Sequence, residues 1–239
     1  NEVKDELLSS DIRQLGRLLG DAIRNHLGDP AFERIEHVRQ LAIRFRRDND
    51  AVAGTQLSDA LQALSQEETT QLTRAFSYFS LLANIAEDQH HIRRTRAHLI
   101  AGSPPRQGSL SHAVGNVLDA GQADALETFF EDAFVSPVFT AHPTEVQRKS
   151  IQNCQMAIAR LLNERDRVQM TPEEVEQNEE ALGRGIVTLW QTRLLRTSKL
   201  SVMDEVANGL SFYDHTILRE LPKLYSSLET MLAQRDARW

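Results

Sequence analysis

The chain has 239 residues, of which 41% are hydrophobic and 26% are charged, and its formal net charge is −7. This acidic balance argues against a nucleic-acid partner, which usually requires a basic surface, and no apolar run approaches the roughly 20 residues that span a bilayer. The single cysteine, Cys154, excludes an intrachain disulfide and favours a cytoplasmic protein.

The N-terminal quarter of the chain predicts three helices. Apolar residues spaced by three and four positions place one stripe on a helix over 5–27, and Gly28-Asp29-Pro30 ends it. The same spacing predicts a second helix over 31–47. A polar stretch at 48–56 predicts a loop, and a short helix is expected over 58–64.

Residues 66–99 predict a long helix with a wide apolar face. Its aromatic cluster, Phe76, Tyr78 and Phe79, fits a hydrophobic core better than a ligand site.

The same helix carries polar residues beyond that cluster. His90 and His91 are adjacent, so their rings point about 100° apart and share one metal ion poorly. An exposed polar helix end is therefore expected. Arg93, Arg94 and Arg96 are expected to form a solvated helix face.

The segment "AGSPPRQGS", residues 101–109, contains the strongest helix breakers and predicts a surface loop. Short helices are expected over 110–119 and 121–131. The only convincing strand pattern lies at 136–140.

The rest of the chain again predicts helices, over 143–166, 172–197 and 203–236. Thr171 fits the N-cap of the second of these and Pro172 its first position. The architecture is thus mostly α-helical with one short strand. Because a lone strand has no partner, it is either an irregular extended segment or part of a sheet completed outside this chain.

Both ends of the chain suggest a piece of a longer protein. It begins at Asn1 without an initiator methionine and stops at Trp239 directly after a helical run, with no Gly or Pro stop signal.

An imidazole marks the junction between the strand pattern and the next helix. Pro143 fits a first helical position, with His142 as the N-cap or its neighbour and Glu145 able to close the cap. The positive end of a helix dipole keeps such an imidazole neutral and able to accept a proton. Free N–H groups there favour an anion, and Arg148 and Lys149 add positive charge.

A histidine at this position can also be no more than a helix cap. The spacing shows no Ser/His/Asp set, no metal-ligand pair and no Gly-rich phosphate loop. The residues by themselves therefore indicate a base beside an anion site and no specific reaction.

Three collinear stretches resemble the phosphoenolpyruvate carboxylase family. "VFTAHPTEVQRKS" at 138–150 resembles its histidine-bearing signature, whose core is Thr-Ala-His-Pro-Thr. Residues 76–94, with Asn-Ile-Ala-Glu followed by His and Arg, resemble its upstream helix. Residues 189–225 resemble the segment after the signature. The similarity extends from about residue 7 to the end of the chain.

The resemblance implies the N-terminal fragment of a helix-rich (β/α)8 barrel enzyme, usually a homotetramer. Residues 136–140 would form the first and only barrel strand of this chain, and His142 would follow its C-terminal end, where barrels place their active sites. The chain would then divide into an N-terminal helical region, 1–134, and an incomplete domain, 135–239.

The resemblance also implies the reaction. The family condenses phosphoenolpyruvate with bicarbonate to give oxaloacetate and phosphate, using Mg²⁺ or Mn²⁺. His142 would be the general base that takes the carboxyl proton of carboxyphosphate. The metal ligands would lie further along the polypeptide, with none in this chain, so the isolated chain is expected to be inactive.

In some relatives, basic residues in these segments bind a sugar-phosphate activator. Arg148 and Arg196 match such positions, whereas Lys149 replaces an arginine and Gln191 stands where another basic residue is found. The family commonly has Asp-Glu-Ile-Arg at 193–196, where this chain has Arg-Leu-Leu-Arg.

The alternative is a helical interaction or regulatory module whose His-Pro-Thr sequence is only a cap. In either case neither a nucleic acid nor a membrane is the expected partner. A truncated barrel should also expose apolar surface, so association or limited solubility is expected when the chain is made alone.

Overall fold

The computed structural model describes residues 2–134, 136, 138, 148–194 and 201–233. All regular structure within these ranges is helical, so the mostly α-helical prediction is confirmed. No described helix combines the length and apolarity needed to cross a bilayer. The helices are α1 (Glu2–Leu27), α2 (Asp29–Arg47), α3 (Ala51–Gln62), α4 (Gln66–Ile100), α5 (Leu110–Asp119), α6 (Ala123–Asp132), α7 (Lys149–Arg167), α8 (Pro172–Gln191), α9 (Val202–Phe212), a π-helical turn (Tyr213–Ile217) and α10 (Leu218–Ala233).

The strand predicted at 136–140 falls mostly outside the described residues. Ser136 and Val138, its two described members, have no regular secondary structure. The strand therefore stays a prediction.

The loop predicted over 48–56 is wrong, because α3 already begins at Ala51. The carboxylate of Asp50 accepts a hydrogen bond from the backbone N–H of Ala53 at 3.0 Å, which is an N-cap interaction. Asp50 also pairs with Arg44 at the end of α2. The polar stretch is thus a cap followed by a helix rather than a loop.

The predicted start of α8 is confirmed, but its predicted end is wrong. Thr171 and Glu174 form a reciprocal capping box, with Pro172 in the first turn. The helix ends at Gln191 instead of 197, and Thr192 has extended dihedral angles, φ −89° and ψ 131°.

The single helix predicted over 203–236 is interrupted by the π-helical turn at Tyr213–Ile217. Pro222 lies in the first turns of α10. A proline inside a helix cannot donate to the carbonyl four residues before it, and its ring crowds that carbonyl. The π-helical turn, which is wider than an α-helical turn, ends directly before Leu218. It therefore precedes the turn of α10 in which Pro222 leaves one backbone hydrogen bond unmade.

The described helices belong to two compact units, Asn1–Ala97 with Arg148–Leu195, and His98–Gln147 with Arg196–Trp239. The first unit packs α1, α4, α7 and α8 around a continuous apolar core. That core comprises Leu15, Leu19, Ile23, Ala75, Tyr78, Leu82, Ile85, Ala86, Ile151, Ile158, Leu162, Leu182, Ile186, Leu189 and Trp190.

The second unit has a core of its own. Among its described residues, Val114, Leu126, Leu228 and Leu232, from α5, α6 and α10, form a buried cluster. The division into 1–134 and 135–239 was taken from the resemblance and stays a prediction.

Two expectations for α4 are wrong, because part of its polar face is buried in the first unit. His90 was expected at an exposed helix end, but it is buried, with only 6% of its surface exposed. Arg93 is 15% exposed and pairs with Asp11 of α1 at 2.8 Å and with Asp166 of α7 at 2.9 Å. Arg165 binds Asp11 from the other side at 2.6 Å. These charged side chains therefore form a polar layer between α1, α4 and α7.

Candidate active site

Two of the four predicted site residues, His142 and Arg196, lie outside the described residues. Arg148 and Lys149 are described and stand at the start of α7. The helix was predicted to begin at Pro143 but begins at Lys149, because Arg148 has extended dihedral angles, φ −65° and ψ 135°, and occupies the N-cap. The N-cap of α7 is thus Arg148, and the predicted cap by His142 falls outside the described residues.

The start of α7 is fixed by the core directly behind it. Ile151 is 2% exposed and packs in the core of the first unit, as do Ile158 and Leu162 further along α7. Arg148 is half-buried and Lys149 is exposed. The first N–H groups of a helix have no acceptor inside it and favour an anion, and here two basic residues accompany them.

The end of α8 lies at the same end of the helix pair as the start of α7. The two helices run antiparallel, since the amide of Asn178 donates to the carbonyl of Leu161 at 3.1 Å while Ile158 lies against Gly185. A Cβ on Gly185 would stand 3.3 Å from Ile158, so glycine permits this close approach. This arrangement places Arg148 and Lys149 at the same end of the helix pair as Gln191.

Arg74 and Tyr78 of α4 hold the C-terminal end of α8. The guanidinium of Arg74 donates to the carbonyl of Trp190 and lies 4.3 Å from the centre of its ring. The Tyr78 hydroxyl donates to the carbonyl of Thr192. Carbonyls at a helix C-terminus lack intrahelical donors, and a cation there is favourable. These contacts explain why α8 stops before residue 197.

Burial keeps the Tyr78 hydroxyl in the form that donates. Desolvation raises the pKa of Tyr78 above its ordinary value, although the nearby Arg74 opposes the change. The ring was predicted to belong to the core, and it is fully buried. The role of its hydroxyl was missed, although a buried tyrosine usually needs a polar partner. No sequence pattern indicated that Arg74 and Thr192 take part in the contacts at the end of α8.

Tyr78→Phe is expected to lower the free energy of unfolding by about 1–2 kcal/mol, because the carbonyl of Thr192 loses its buried donor while the ring is kept. Urea unfolding followed by circular dichroism measures the change. Thr188→Val removes a hydroxyl that also donates to a backbone carbonyl, that of Arg184, but at an exposed position of α8, and should shift stability by less than about 0.5 kcal/mol. Equal effects of the two variants would contradict the assigned role of Tyr78.

Gln191, the last residue of α8, contacts α1. Its amide nitrogen lies 2.7 Å from Nε2 of His26, while Nδ1 of His26 lies 2.8 Å from the carbonyl of Ala22. The carbonyl can only accept, so Nδ1 carries the proton and Nε2 accepts from the amide. The end of α8 is thus attached to α1 as well as to α4.

The described residues offer neither a metal centre nor a reactive thiol. Within residues 2–134, 136, 138, 148–194 and 201–233, no three His, Cys, Asp or Glu side chains converge so as to hold a metal ion. Burial raises the pKa of the Cys154 thiol, which disfavours the reactive thiolate.

Comparison with known proteins gives consistent matches over nearly the whole chain. The family model described as phosphoenolpyruvate carboxylase matches residues 8–238. A phosphoenolpyruvate carboxylase of Azoarcus sp. (strain BH72) is 63% identical over 232 residues, 96% of this chain and 25% of the relative. Those of Aromatoleum aromaticum and Nitrosomonas eutropha are 60% and 55% identical, over 98% and 96% of this chain. The chain spans about a quarter of the length of these relatives.

Proposed function

Because the chain belongs to the phosphoenolpyruvate carboxylase family, we propose that its complete gene product carboxylates phosphoenolpyruvate with bicarbonate, forming oxaloacetate and phosphate. The observation that carries the proposal is the family match over residues 8–238, together with 63% identity to a relative of that name. The Thr-Ala-His-Pro-Thr sequence around His142 lies inside the matched range.

The proposed reaction has two stages. A bicarbonate oxygen attacks the phosphoryl group, the bond from phosphorus to the enol oxygen breaks, and carboxyphosphate and the enolate of pyruvate result. His142 then takes the carboxyl proton of carboxyphosphate, which separates into CO₂ and phosphate, and the enolate carbon attacks CO₂. His142 has to be neutral before this step, because only a neutral imidazole accepts a proton.

The family implies a divalent metal, which we propose to be Mg²⁺ or Mn²⁺. Such an ion would stabilise negative charge on the phosphoryl and enolate oxygens. From the resemblance, its ligands are proposed to lie further along the polypeptide, outside this chain.

We also propose the overall architecture that the resemblance implies. Residues 136–140 would be the first strand of a (β/α)8 barrel, with 1–134 as a helical region before it. The complete gene product would be a cytoplasmic homotetramer.

An assay of the complete gene product with phosphoenolpyruvate, bicarbonate and Mg²⁺ tests the proposed reaction. Equal amounts of oxaloacetate and phosphate are expected, and oxaloacetate can be followed by its reduction with NADH and malate dehydrogenase. The 239-residue chain alone should produce no oxaloacetate. Phosphate release without oxaloacetate, or turnover by the chain alone, would contradict the proposal. A reading frame that stops soon after residue 239 would favour the helical interaction module instead.

We also propose that Arg148, Lys149 and Arg196 bind a sugar-phosphate activator. The proposal is supported by the resemblance for Arg148 and Arg196, and by the position of Arg148 and Lys149 at the N-terminal end of α7, where free N–H groups favour an anion. Lysine lacks the bidentate geometry of arginine, so Lys149 is expected to contribute less than an arginine would.

Arg196→Ala in the complete gene product should raise the half-maximal concentration of the sugar-phosphate activator about 10- to 100-fold, the effect of losing a hydrogen bond to a charged group. Steady-state rates without activator should stay unchanged. Arg184→Ala, which removes an exposed arginine from the middle of α8, is the matched control. An unchanged activator response in Arg196→Ala would dismiss the site.

A further inference from the structure

A cavity of about 470 Å³ lies between α1, α2 and α4 of the first unit. Its floor is the apolar core, to which Leu19, Ile23 and Ala75 belong. Its walls are half-buried apolar side chains from α2 and α4, namely Phe32, Ile35, Phe76 and Phe79. Small-molecule sites usually have about 300–1,000 Å³ and a mostly apolar lining with a few polar groups. The cavity has the size and the lining of such a site.

Two glycines of α1 allow phenyl rings to form the walls of this cavity. A Cβ on Gly16 would stand 3.2 Å from the ring of Phe79. A Cβ on Gly20 would stand 2.9 Å from the ring of Phe32, which is closer than the two could remain. Phe76, one turn before Phe79 on α4, supplies a third ring. Aromatic rings make favourable offset and edge-to-face contacts with one another, so these walls favour a flat aromatic group.

Four arginines stand at the rim of the cavity, and three of them are already paired with carboxylates. The pairs are Arg17 with Glu179, Arg24 with Asp29 at 3.0 Å, and Arg39 with Glu36 at 2.6 Å. Arg24 also lies over the ring of Phe32, 4.0 Å from its centre, which is a cation–π contact. An anionic ligand would have to compete with a carboxylate of the protein for any of these three guanidinium groups.

Arg13 is the fourth rim arginine, and it differs from the other three. Its Nε donates to the carbonyl of Ser9, one turn earlier on α1, at 3.1 Å. No carboxylate of the described part of the chain pairs with its guanidinium, and the side chain is exposed. The planar guanidinium matches the two oxygens of a carboxylate in a bidentate arrangement. Arg13 is therefore the position at the rim that favours an added anion.

We propose that this cavity binds a small planar aromatic carboxylate. The aromatic group would lie among the rings of Phe32, Phe76 and Phe79, and the carboxylate would pair with the guanidinium of Arg13. The apolar walls, the glycines that admit the phenyl rings and the charge at the rim support this ligand class together. The inference rests on the geometry of the first unit and not on the proposed carboxylation.

Isothermal titration calorimetry of the complete gene product with 1-naphthoate tests the inference without needing activity. Saturable binding of one naphthoate per chain is expected. Two matched compounds separate the contributions of charge and ring. The neutral naphthalene-1-methanol should bind at least 10-fold more weakly, because it cannot form the ion pair with Arg13. The fully saturated decahydronaphthalene-1-carboxylate keeps the carbon skeleton and the charge but loses the planar ring, and should bind about 5-fold more weakly.

Substitutions in the complete gene product locate the site. Arg13→Gln should weaken naphthoate binding about 10-fold, and Arg184→Gln, an exposed arginine of α8, is the matched control that should leave it unchanged. Phe76→Ala should also weaken binding about 10-fold, whereas Phe129→Ala removes an exposed ring of α6 and should have no effect. Circular dichroism checks that each variant folds, and Phe76→Leu serves if Phe76→Ala does not.

The proposal is overturned if the complete gene product shows no saturable binding of naphthoate, or if Arg13→Gln binds it as tightly as the wild type. Equal affinity for the neutral alcohol or for the saturated acid would overturn the ligand class. Binding by the 239-residue chain but not by the complete gene product would show that the remaining polypeptide covers the cavity, which would also overturn the proposal. A complete gene product that binds naphthoate but does not carboxylate would refute the proposed function and leave this inference standing.

Discussion

His142→Asn in the complete gene product is expected to lower the rate of oxaloacetate formation by about 10²- to 10⁴-fold, the range that a positioned general base contributes. Asparagine keeps hydrogen-bonding capacity and approximate size but cannot accept the proton of carboxyphosphate at neutral pH. Phosphoenolpyruvate binding should be retained, because the proton transfer follows binding. Steady-state oxaloacetate assays and equilibrium binding of phosphoenolpyruvate separate the two quantities.

His37→Asn is the control for this prediction. His37 is exposed on α2 and lies far from the signature in sequence, so its replacement should leave the rate unchanged. If His142→Asn carboxylates at the wild-type rate, the assignment of the base is wrong even though the family membership stands. If phosphoenolpyruvate binding is lost together with the rate, His142 acts in binding rather than as a base.

The second large effect concerns the polar layer of the first unit. Asp11→Asn is expected to lower the free energy of unfolding by about 3–5 kcal/mol, the usual result of removing one partner from a buried ion pair. Asp11 is 3% exposed, and its two carboxylate oxygens accept hydrogen bonds from Arg93 and Arg165 at 2.8 and 2.6 Å. The variant leaves two guanidinium groups in a poorly hydrated position. Arg93 still has Asp166, so the loss falls most heavily on Arg165.

Asp21→Asn is a closely matched control for Asp11→Asn. Asp21 lies on the same helix and also faces two arginines, Arg17 and Arg24, at 3.6 and 3.8 Å. Its side chain is 48% exposed, and exposed pairs contribute between about 0 and 1 kcal/mol. Urea unfolding of both variants gives the comparison. Similar losses from the two substitutions would show that the buried layer is not a major source of stability.

The resemblance and the helical periodicity predicted much of this protein correctly. The stripes of α1 and α2, the long α4 and the cap of α8 by Thr171 all follow from local interactions, in which residues three or four positions apart meet on one helix. The family was identified from short motifs, and the matched range agrees with it.

The errors cluster where distant parts of the chain meet. Arg93 looked like a residue of a solvated helix face, and its burial depends on Asp11 and Asp166, which are 82 and 73 positions away. The end of α8 depends on Arg74 and Tyr78, more than a hundred positions away. Local periodicity contains no information about such partners.

The sequence by itself therefore determined the helical class, most helix positions and the family. The tertiary structure alone decided which polar residues are buried, where α8 stops and that the start of α7 and the end of α8 lie at the same end of the helix pair. The physical reason is the range of the interactions. Helix formation and capping act between near neighbours, whereas burial and charge pairing depend on which helices pack together.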